Sequence, residues 1–168
     1  TEAQTKSEIK RQIKLCQEEE TDLIIVSFHW GIEHTYQPEK KQQRIAHYAI
    51  DLGADLILGH HPHVLQGVES YKDKMIVYSL GNFCFGGNTN PSDKDTMIYR
   101  QTFVFENGSL SKASSRIIPC SLSSVSTRNN YQPTLLSGKK RARVIHLLNE
   151  RSQTFQTKVL SSGAIEVE

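Results

Sequence analysis

The chain has 168 residues, of which 37% are hydrophobic and 23% charged, a composition typical of a globular protein and unlike that of disordered or fibrous chains. The formal net charge of +2 is too small to indicate a nucleic-acid partner. Since no apolar run approaches the roughly 20 residues that a membrane-spanning helix needs, we expect the chain itself to be soluble. The length predicts a single domain, residues 1–168.

The first part of the chain alternates helical and extended patterns. Residues 3–20 show the apolar spacing of a helix. The continuous apolar run of residues 22–28 predicts a strand that is covered on both faces, as in a parallel sheet. A second helix is predicted at residues 38–52 and a second buried strand at residues 55–58. This order predicts a βαβ unit with parallel strands.

The later part of the chain predicts antiparallel strands and one more helix. The dipeptide Asn107-Gly108 is a typical signal for a tight β-hairpin. In chain order we expect strands at residues 64–71 and 75–80, a hairpin of residues 97–105 and 110–118, a helix at residues 138–153, and strands at residues 158–161 and 164–167. The predicted fold class is therefore α/β, with a parallel βαβ unit followed by antiparallel strands.

Histidines follow both strands of the predicted βαβ unit. His29 lies in the sequence FHWG, and His60, His61 and His63 lie in LGHHPH. The carboxyl ends of neighbouring parallel strands meet at one edge of a sheet, where ligands bind in open α/β folds. Imidazole is the commonest side-chain ligand of Mn, Fe and Zn ions. The sequence therefore predicts a metal site of this kind at that edge.

The sequence around these histidines favours a fixed geometry. His61 and His63 alternate along the loop, so both rings can point at one ion, and Pro62 between them stiffens the backbone. Gly31 and Gly59 allow other backbone to approach closely. The alternative is a loop whose histidines only form hydrogen bonds. The presence of four histidines at two strand ends makes this the weaker interpretation.

Two further polar residues have open roles. Glu33 follows His29 by four positions and either holds an imidazole in place or is a surface carboxylate. Asn82, in the sequence YSLGNF, either binds a metal or a substrate oxygen or is part of a turn, and spacing alone favours the turn. His47 lies off the apolar face of its helix, so we expect it to face solvent. Additional carboxylate ligands are expected, but few candidates lie nearby.

Three segments together resemble a known family. They are FHWG at residues 28–31 with Glu33, DLGADLILGHHPHVLQGVE at residues 51–69, and IVYSLGNFCF at residues 76–85. In order and spacing they are similar to the bacterial CapA/PgsA capsule-synthesis proteins, which are linked to poly-γ-glutamate production. The resemblance covers about residues 5–120. That family in turn resembles the calcineurin-like metallophosphoesterases.

The resemblance implies a fold, a reaction and roles for individual residues. The fold would be a β-sandwich flanked by helices, and the site would hold divalent metal ions, two in the intact domain, for phosphoester hydrolysis. His29, His61 and His63 would be metal ligands. His60 would be a ligand or the proton donor to the leaving group, and Asn82 would position the substrate.

The resemblance is partial. The superfamily motifs that supply the remaining metal ligands have no counterpart upstream of residue 20, which implies that this chain is the C-terminal part of the domain and that an N-terminal half completes the site. It also implies a membrane-anchored, extracytoplasmic parent protein that works with other capsule-synthesis membrane proteins on a phosphorylated or polyglutamate-related substrate. The alternatives are a non-catalytic cell-surface scaffold of the capsule-polymer machinery and a hydrolase of amide bonds.

Overall fold

A four-stranded mixed sheet forms the centre of the protein in a computed structural model that describes residues 1–167. Its order is β1 (Ile25–His29), β2 (Leu56–His60), β4 (Lys74–Val77) and β3 (Val68–Tyr71). β1, β2 and β4 are parallel, and β3 is antiparallel to β4. The predicted parallel βαβ unit is therefore confirmed.

Two helices cover one face of this sheet. They are α1 (Glu2–Glu18) and α2 (Lys40–Asp51), the helix that connects β1 to β2. Helix α2 was predicted to begin at residue 38, but it begins at Lys40, after the cap residue Glu39. The helices bury an aliphatic core against the sheet that includes Ile9, Ile13, Ile45, Ala49, Ile57 and Ile76.

Antiparallel strands and a third helix cover the other face. The long hairpin turns at Asn107 and Gly108, whose φ angles of 52° and 77° confirm the predicted tight turn. The elements are β5 (Asp95–Glu106), β6 (Ser109–Ser121), β7 (Thr134–Leu135), α3 (Gly138–Ser152), β8 (Thr157–Val159) and β9 (Ile165–Val167). Their core against the sheet includes Met97, Ile117, Val144 and Leu148. The α/β class is confirmed.

Strand β1 is open on one side, which contradicts the prediction that it is covered on both faces. Val26 and Phe28 pack against the core beneath the helices. Ile25, which is 52% exposed, lies with the exposed Ser27 and His29 on the opposite face. The physical reason is that the second layer packs on the other three strands, because its core includes Leu56, Val68 and Val77 but, within residues 1–167, no residue of β1. No helix of residues 1–167 is long and apolar enough to cross a membrane.

Candidate metal centre

The strand ends bring two of the predicted histidines side by side. His29 and His60 are the last residues of β1 and β2 and are paired across the two strands. The backbone N–H of Trp30 donates to the carbonyl oxygen of His60 at 3.1 Å, which holds the outgoing chains together. Both histidines lie at the same sheet edge, as the βαβ order predicted.

The loop after β2 places two more imidazoles at this edge. The ring centroids of His29 and His61 are 4.6 Å apart, and those of His61 and His63 are 5.7 Å apart. His61 and His63 have φ angles of 97° and 59°, a region that residues with a side chain rarely adopt. Such conformations persist where the surrounding structure imposes them, and they concentrate at functional sites.

Glu33 joins two of these histidines. The ligand atoms of Glu33, His61 and His63 all lie within 4.8 Å of one another, and His63 Nε2 is 3.8 Å from Glu33 Oε1. The loop that carries Glu33 is tied to the histidine loop by a hydrogen bond from the N–H of His34 to the carbonyl oxygen of Pro62, at 2.8 Å. Two imidazoles and one carboxylate are a donor set that suits a Zn, Mn or Fe ion.

Asn82 holds one of these three donors in place. It is 7% exposed, and its Oδ1 lies 2.7 Å from His63 Nδ1. Its Nδ2 donates to the carbonyl oxygen of His63 at 3.2 Å. Since an amide oxygen only accepts, His63 carries its proton on Nδ1 and leaves Nε2, the atom that faces Glu33, with a free lone pair. This geometry favours a role for Asn82 in orienting His63.

His60 and His29 lie outside the group of three converging donors. His60 is half-buried, and burial, followed by the nearby charge of His29, lowers the pKa of its imidazole. The ring of His29 touches that of His61 instead. Of the two adjacent histidines His60 and His61, only His61 converges with His63 and Glu33 among residues 1–167.

Glycine is required at the base of the site. A Cβ atom on Gly59 would lie 2.0 Å from the carbonyl oxygen of Tyr78 and 2.6 Å from Nε1 of Trp30. These two atoms are hydrogen-bonded to each other at 3.0 Å directly beside Gly59. The close approach that the sequence predicted at Gly59 is therefore made by the neighbouring strand and the indole of Trp30.

A buried amide pair, which the sequence did not reveal as a site feature, fixes the Glu33 loop. Gln66 is fully buried, and its Nε2 donates to the carbonyl oxygen of Thr35 at 2.7 Å. Its Oε1 accepts from Nε2 of Gln42 at 3.2 Å. The sequence signal for this feature is the position of Gln66 in an otherwise apolar run. A glutamine buried there needs specific hydrogen-bond partners.

The prediction that His47 faces solvent is wrong. Its Nε2 lies 2.9 Å from Oε1 of the buried Glu69, and its ring stacks on Tyr71 with centroids 3.9 Å apart. Glu69 also accepts a hydrogen bond from the hydroxyl of Tyr78, which is fully buried. This cluster joins α2 to the sheet and contributes no ligand atom to the group formed by Glu33, His61 and His63.

Comparison with known proteins decides the family. The model of the family described as bacterial capsule synthesis protein PGA_cap matches residues 1–87, more than half of the chain. The chain belongs to this family. The matched region contains every residue of the candidate metal centre, from His29 to Asn82. It ends at residue 87, whereas the resemblance in the sequence covers about residues 5–120.

Individual relatives agree with this assignment. The capsule biosynthesis protein CapA of Bacillus anthracis is 47% identical over 79 residues, which are 46% of this chain and 19% of that protein. The PGA biosynthesis protein CapA of Bacillus subtilis is 48% identical over 64 residues, 38% of this chain and 17% of the relative. A probable polyglutamine synthesis accessory protein of Mycobacterium tuberculosis is 38% identical over 61 residues, which are 36% of this chain and 16% of that protein. The matched segment thus spans less than a fifth of these relatives.

Proposed function

We propose that this chain carries part of a metal-dependent hydrolytic site, of the phosphoesterase type, in a protein of capsule or poly-γ-glutamate synthesis. The observation that carries the proposal is the convergence of Glu33, His61 and His63, whose ligand atoms lie within 4.8 Å of one another. His29, in ring contact with His61, would extend this donor set towards the second metal ion of the intact domain. The resemblance to calcineurin-like metallophosphoesterases supports the same reaction class.

Each residue of the site has a distinct task in this proposal. A bound Mn, Fe or Zn ion would supply Lewis acidity and lower the pKa of water for attack on a phosphoester. His61, His63 and Glu33 would bind the ion, and Asn82 would keep the proton of His63 on Nδ1 so that Nε2 is available as a ligand. His60, which lies beside them at the strand end, would donate a proton to the leaving group from its imidazolium form, although its lowered pKa favours the neutral form.

The open face of β1 supports a role for further protein at this site. His29 and Ser27 are exposed there, and β1 is an edge strand that can pair with another strand. We propose that an N-terminal half of the domain covers this face and contributes the missing carboxylate ligands. The parent protein would be membrane-anchored and extracytoplasmic, and it would work with other capsule-synthesis membrane proteins on a phosphorylated or polyglutamate-related substrate.

Metal binding by the chain itself tests the proposal. Elemental analysis and calorimetric titration with Mn²⁺ and Zn²⁺ are expected to show a bound ion, with affinity at least about tenfold weaker in a His61→Ala, His63→Ala double variant. His146→Ala is the matched control, because His146 lies on α3 with 74% of its side chain exposed. Absence of metal binding, or equal binding by the double variant and the control, would overturn the proposal.

The reaction class needs a second measurement. Full-length protein loaded with metal is expected to hydrolyse an aryl phosphate and to leave a γ-glutamyl anilide intact. The opposite preference would indicate a hydrolase of amide bonds.

A non-catalytic scaffold is the second candidate function. The open face of β1 with Ile25 exposed is typical of a surface that receives a partner, and one relative is described as an accessory protein. In this case the His61→Ala, His63→Ala variant of the full-length protein would support normal capsule formation in cells. Loss of capsule with normal protein levels would favour the enzyme.

A further inference from the structure

A small cavity lies on the outer face of the long hairpin formed by β5 and β6. Tyr99 and Phe103 project from the opposite face of this hairpin and pack against the core. The volume of the cavity is about 280 Å³, below the roughly 300–1,000 Å³ typical of pockets for drug-sized ligands, so it suits a small group. Both strands lie outside the region that matches the family model, and Glu33, His61 and His63 do not line the cavity.

Two arginines of this cavity lie opposite each other. Arg100 on β5 and Arg116 on β6 are directly paired in the antiparallel ladder. Residues paired in this way have Cβ atoms about 5 Å apart. Thr102 is paired with Ser114 two positions further along, and because side chains alternate along a strand, this pair shares the face of the arginines. All four residues line the cavity, so the hairpin holds two guanidinium groups and two hydroxyl groups over one small area.

The chain does not neutralise these two charges. Within residues 1–167, the side chains of Arg100 and Arg116 form no hydrogen bond and no ion pair, and no acidic side chain lines the cavity. Three arginines elsewhere each pair with a carboxylate, namely Arg11, Arg44 and Arg143. Like charges directly opposite each other destabilise a sheet. The arginine pair therefore has a cost that an anion bound between the two side chains would offset.

The two hydroxyl groups beside the arginines are free to donate. In the part of the chain that the structure describes, the side chains of Thr102 and Ser114 make no hydrogen bond. Ser115 differs, because its Oγ donates to Oε1 of Gln101 at 2.7 Å and accepts from the hydroxyl of Tyr99 at 3.0 Å. Thr102 and Ser114 can therefore each offer an O–H donor to a ligand held by the arginines.

The turn between β8 and β9 closes one side of the cavity. The N–H of Ile117 donates to the carbonyl oxygen of Gly163 at 2.8 Å, and Ala164 pairs with Arg116 in an isolated antiparallel bridge. A Cβ atom on Gly163, whose φ angle is 90°, would lie 2.2 Å from the carbonyl oxygen of Ile117. Glycine thus permits the close approach that brings Ala164 into the lining beside Arg116.

We infer that this cavity binds a phosphate group, free or as a phosphomonoester, between the guanidinium groups of Arg100 and Arg116, with the hydroxyls of Thr102 and Ser114 donating to it. Arginine binds phosphate and carboxylate oxygens through two parallel N–H donors. A carboxylate has two oxygens, which one such fork satisfies. A phosphate group has at least three acceptor oxygens and can use both forks and the hydroxyls at once. The site is separate from the metal centre and does not depend on the proposed reaction.

Titration of the isotope-labelled chain, followed by the NMR shifts of its backbone amides, tests the inference. The probes are inorganic phosphate, phenyl phosphate and acetate, in a buffer with little salt and with EDTA, which keeps the metal centre empty. We expect both phosphate probes to cause saturable shifts in residues 100–102 and 114–116. Acetate should bind at least about tenfold more weakly, because it engages only one fork. Added sodium chloride should weaken the binding of phosphate, since the site is exposed to solvent.

Two single substitutions and a matched control assign the binding to this cavity. Arg100→Gln and Arg116→Gln should each weaken phosphate binding about tenfold, because each removes a charged hydrogen-bond donor. Both variants should fold, since both arginines are exposed. Arg128→Gln is the control, because it removes the same charge from an exposed position that does not line the cavity.

A vesicle experiment distinguishes the two sources of a phosphate group. Co-sedimentation of the chain with phosphatidylcholine vesicles only when they contain phosphatidic acid, and its loss in Arg116→Gln, would identify a lipid headgroup. Binding of phenyl phosphate without co-sedimentation would identify a soluble phosphomonoester. Absence of binding to the phosphate probes and to both kinds of vesicle, acetate binding as tight as phosphate binding, or equal effects of Arg116→Gln and Arg128→Gln would each overturn the inference.

Discussion

Nδ1 of His63 lies 2.7 Å from Oδ1 of Asn82, a residue that follows nineteen positions later in the chain. The amide oxygen fixes the imidazole tautomer, because it can only accept the Nδ1 proton. The same asparagine donates to the backbone of His63. Asn82 therefore sets both the orientation and the proton position of a residue whose Nε2 faces Glu33.

Replacing Asn82 should weaken metal binding without removing a metal donor. In Asn82→Leu, His63 loses the acceptor for its Nδ1 proton, and we expect the affinity for Zn²⁺ or Mn²⁺ to fall about 10- to 100-fold. Asn82→Asp keeps an acceptor oxygen and should retain most of the affinity. Calorimetry of the two variants side by side measures this, and equal losses in both would show that tautomer control is not the role of Asn82.

Gly59→Ala should destabilise the fold and disturb the site. The added Cβ would lie 2.0 Å from the carbonyl oxygen of Tyr78, so two adjacent strands must separate. We expect the free energy of unfolding in urea to fall by about 3 kcal/mol. Gly86→Ala is the control, because a Cβ there meets nothing within 4 Å. Similar stability of the two variants would contradict the close packing at Gly59.

Gln66→Leu should loosen the loop that carries Glu33. The substitution leaves the carbonyl oxygen of Thr35 and the side-chain amide of Gln42 without their buried partner. We expect a loss of about 1–3 kcal/mol in the free energy of unfolding. Hydrogen exchange should become faster in residues 31–37 while β5 and β6 stay protected. Uniform acceleration across the chain would indicate general destabilisation instead.

The stability of the protein should fall with rising pH above about 10. Burial, followed by the charge of Glu69, raises the pKa of Tyr78 above its ordinary value, and burial raises the pKa of Tyr99 to about 12. From about pH 10 both phenols ionise in the unfolded chain, whereas in the folded chain Tyr78 stays protonated and Tyr99 stays mainly protonated until the pH approaches about 12. Their contribution is therefore complete below pH 10 and is lost as the pH rises.

Tyr78→Phe isolates the share of Tyr78 in this pH dependence. Each such group steepens the fall of the unfolding free energy by up to about 1.4 kcal/mol per pH unit. Denaturant unfolding from pH 9 to 11.5 should therefore show a shallower decline in Tyr78→Phe than in the unsubstituted protein. The variant should also be less stable at pH 7, because the buried carboxylate of Glu69 loses a donor. Identical slopes would show that Tyr78 ionises in the folded state.

The sequence by itself determined the local pattern and the edge at which the site forms. Helical and extended periodicities are properties of neighbouring residues, so α1, α2 and the parallel pair of β1 and β2 were predictable. The side-by-side position of His29 and His60 follows from that pairing alone. The Asn107-Gly108 hairpin was equally local, since its turn requires positive φ angles that these residues adopt.

Only the tertiary structure decided which side chains meet. The contacts of His63 with Asn82, of Gln66 with Thr35, and of His47 with Glu69 join segments distant in the sequence, and their geometry depends on the path of the loops. The open face of β1 has the same origin, because an apolar run predicts a strand but not which elements pack on its two faces. Burial and convergence are set by how elements pack, which no local pattern encodes.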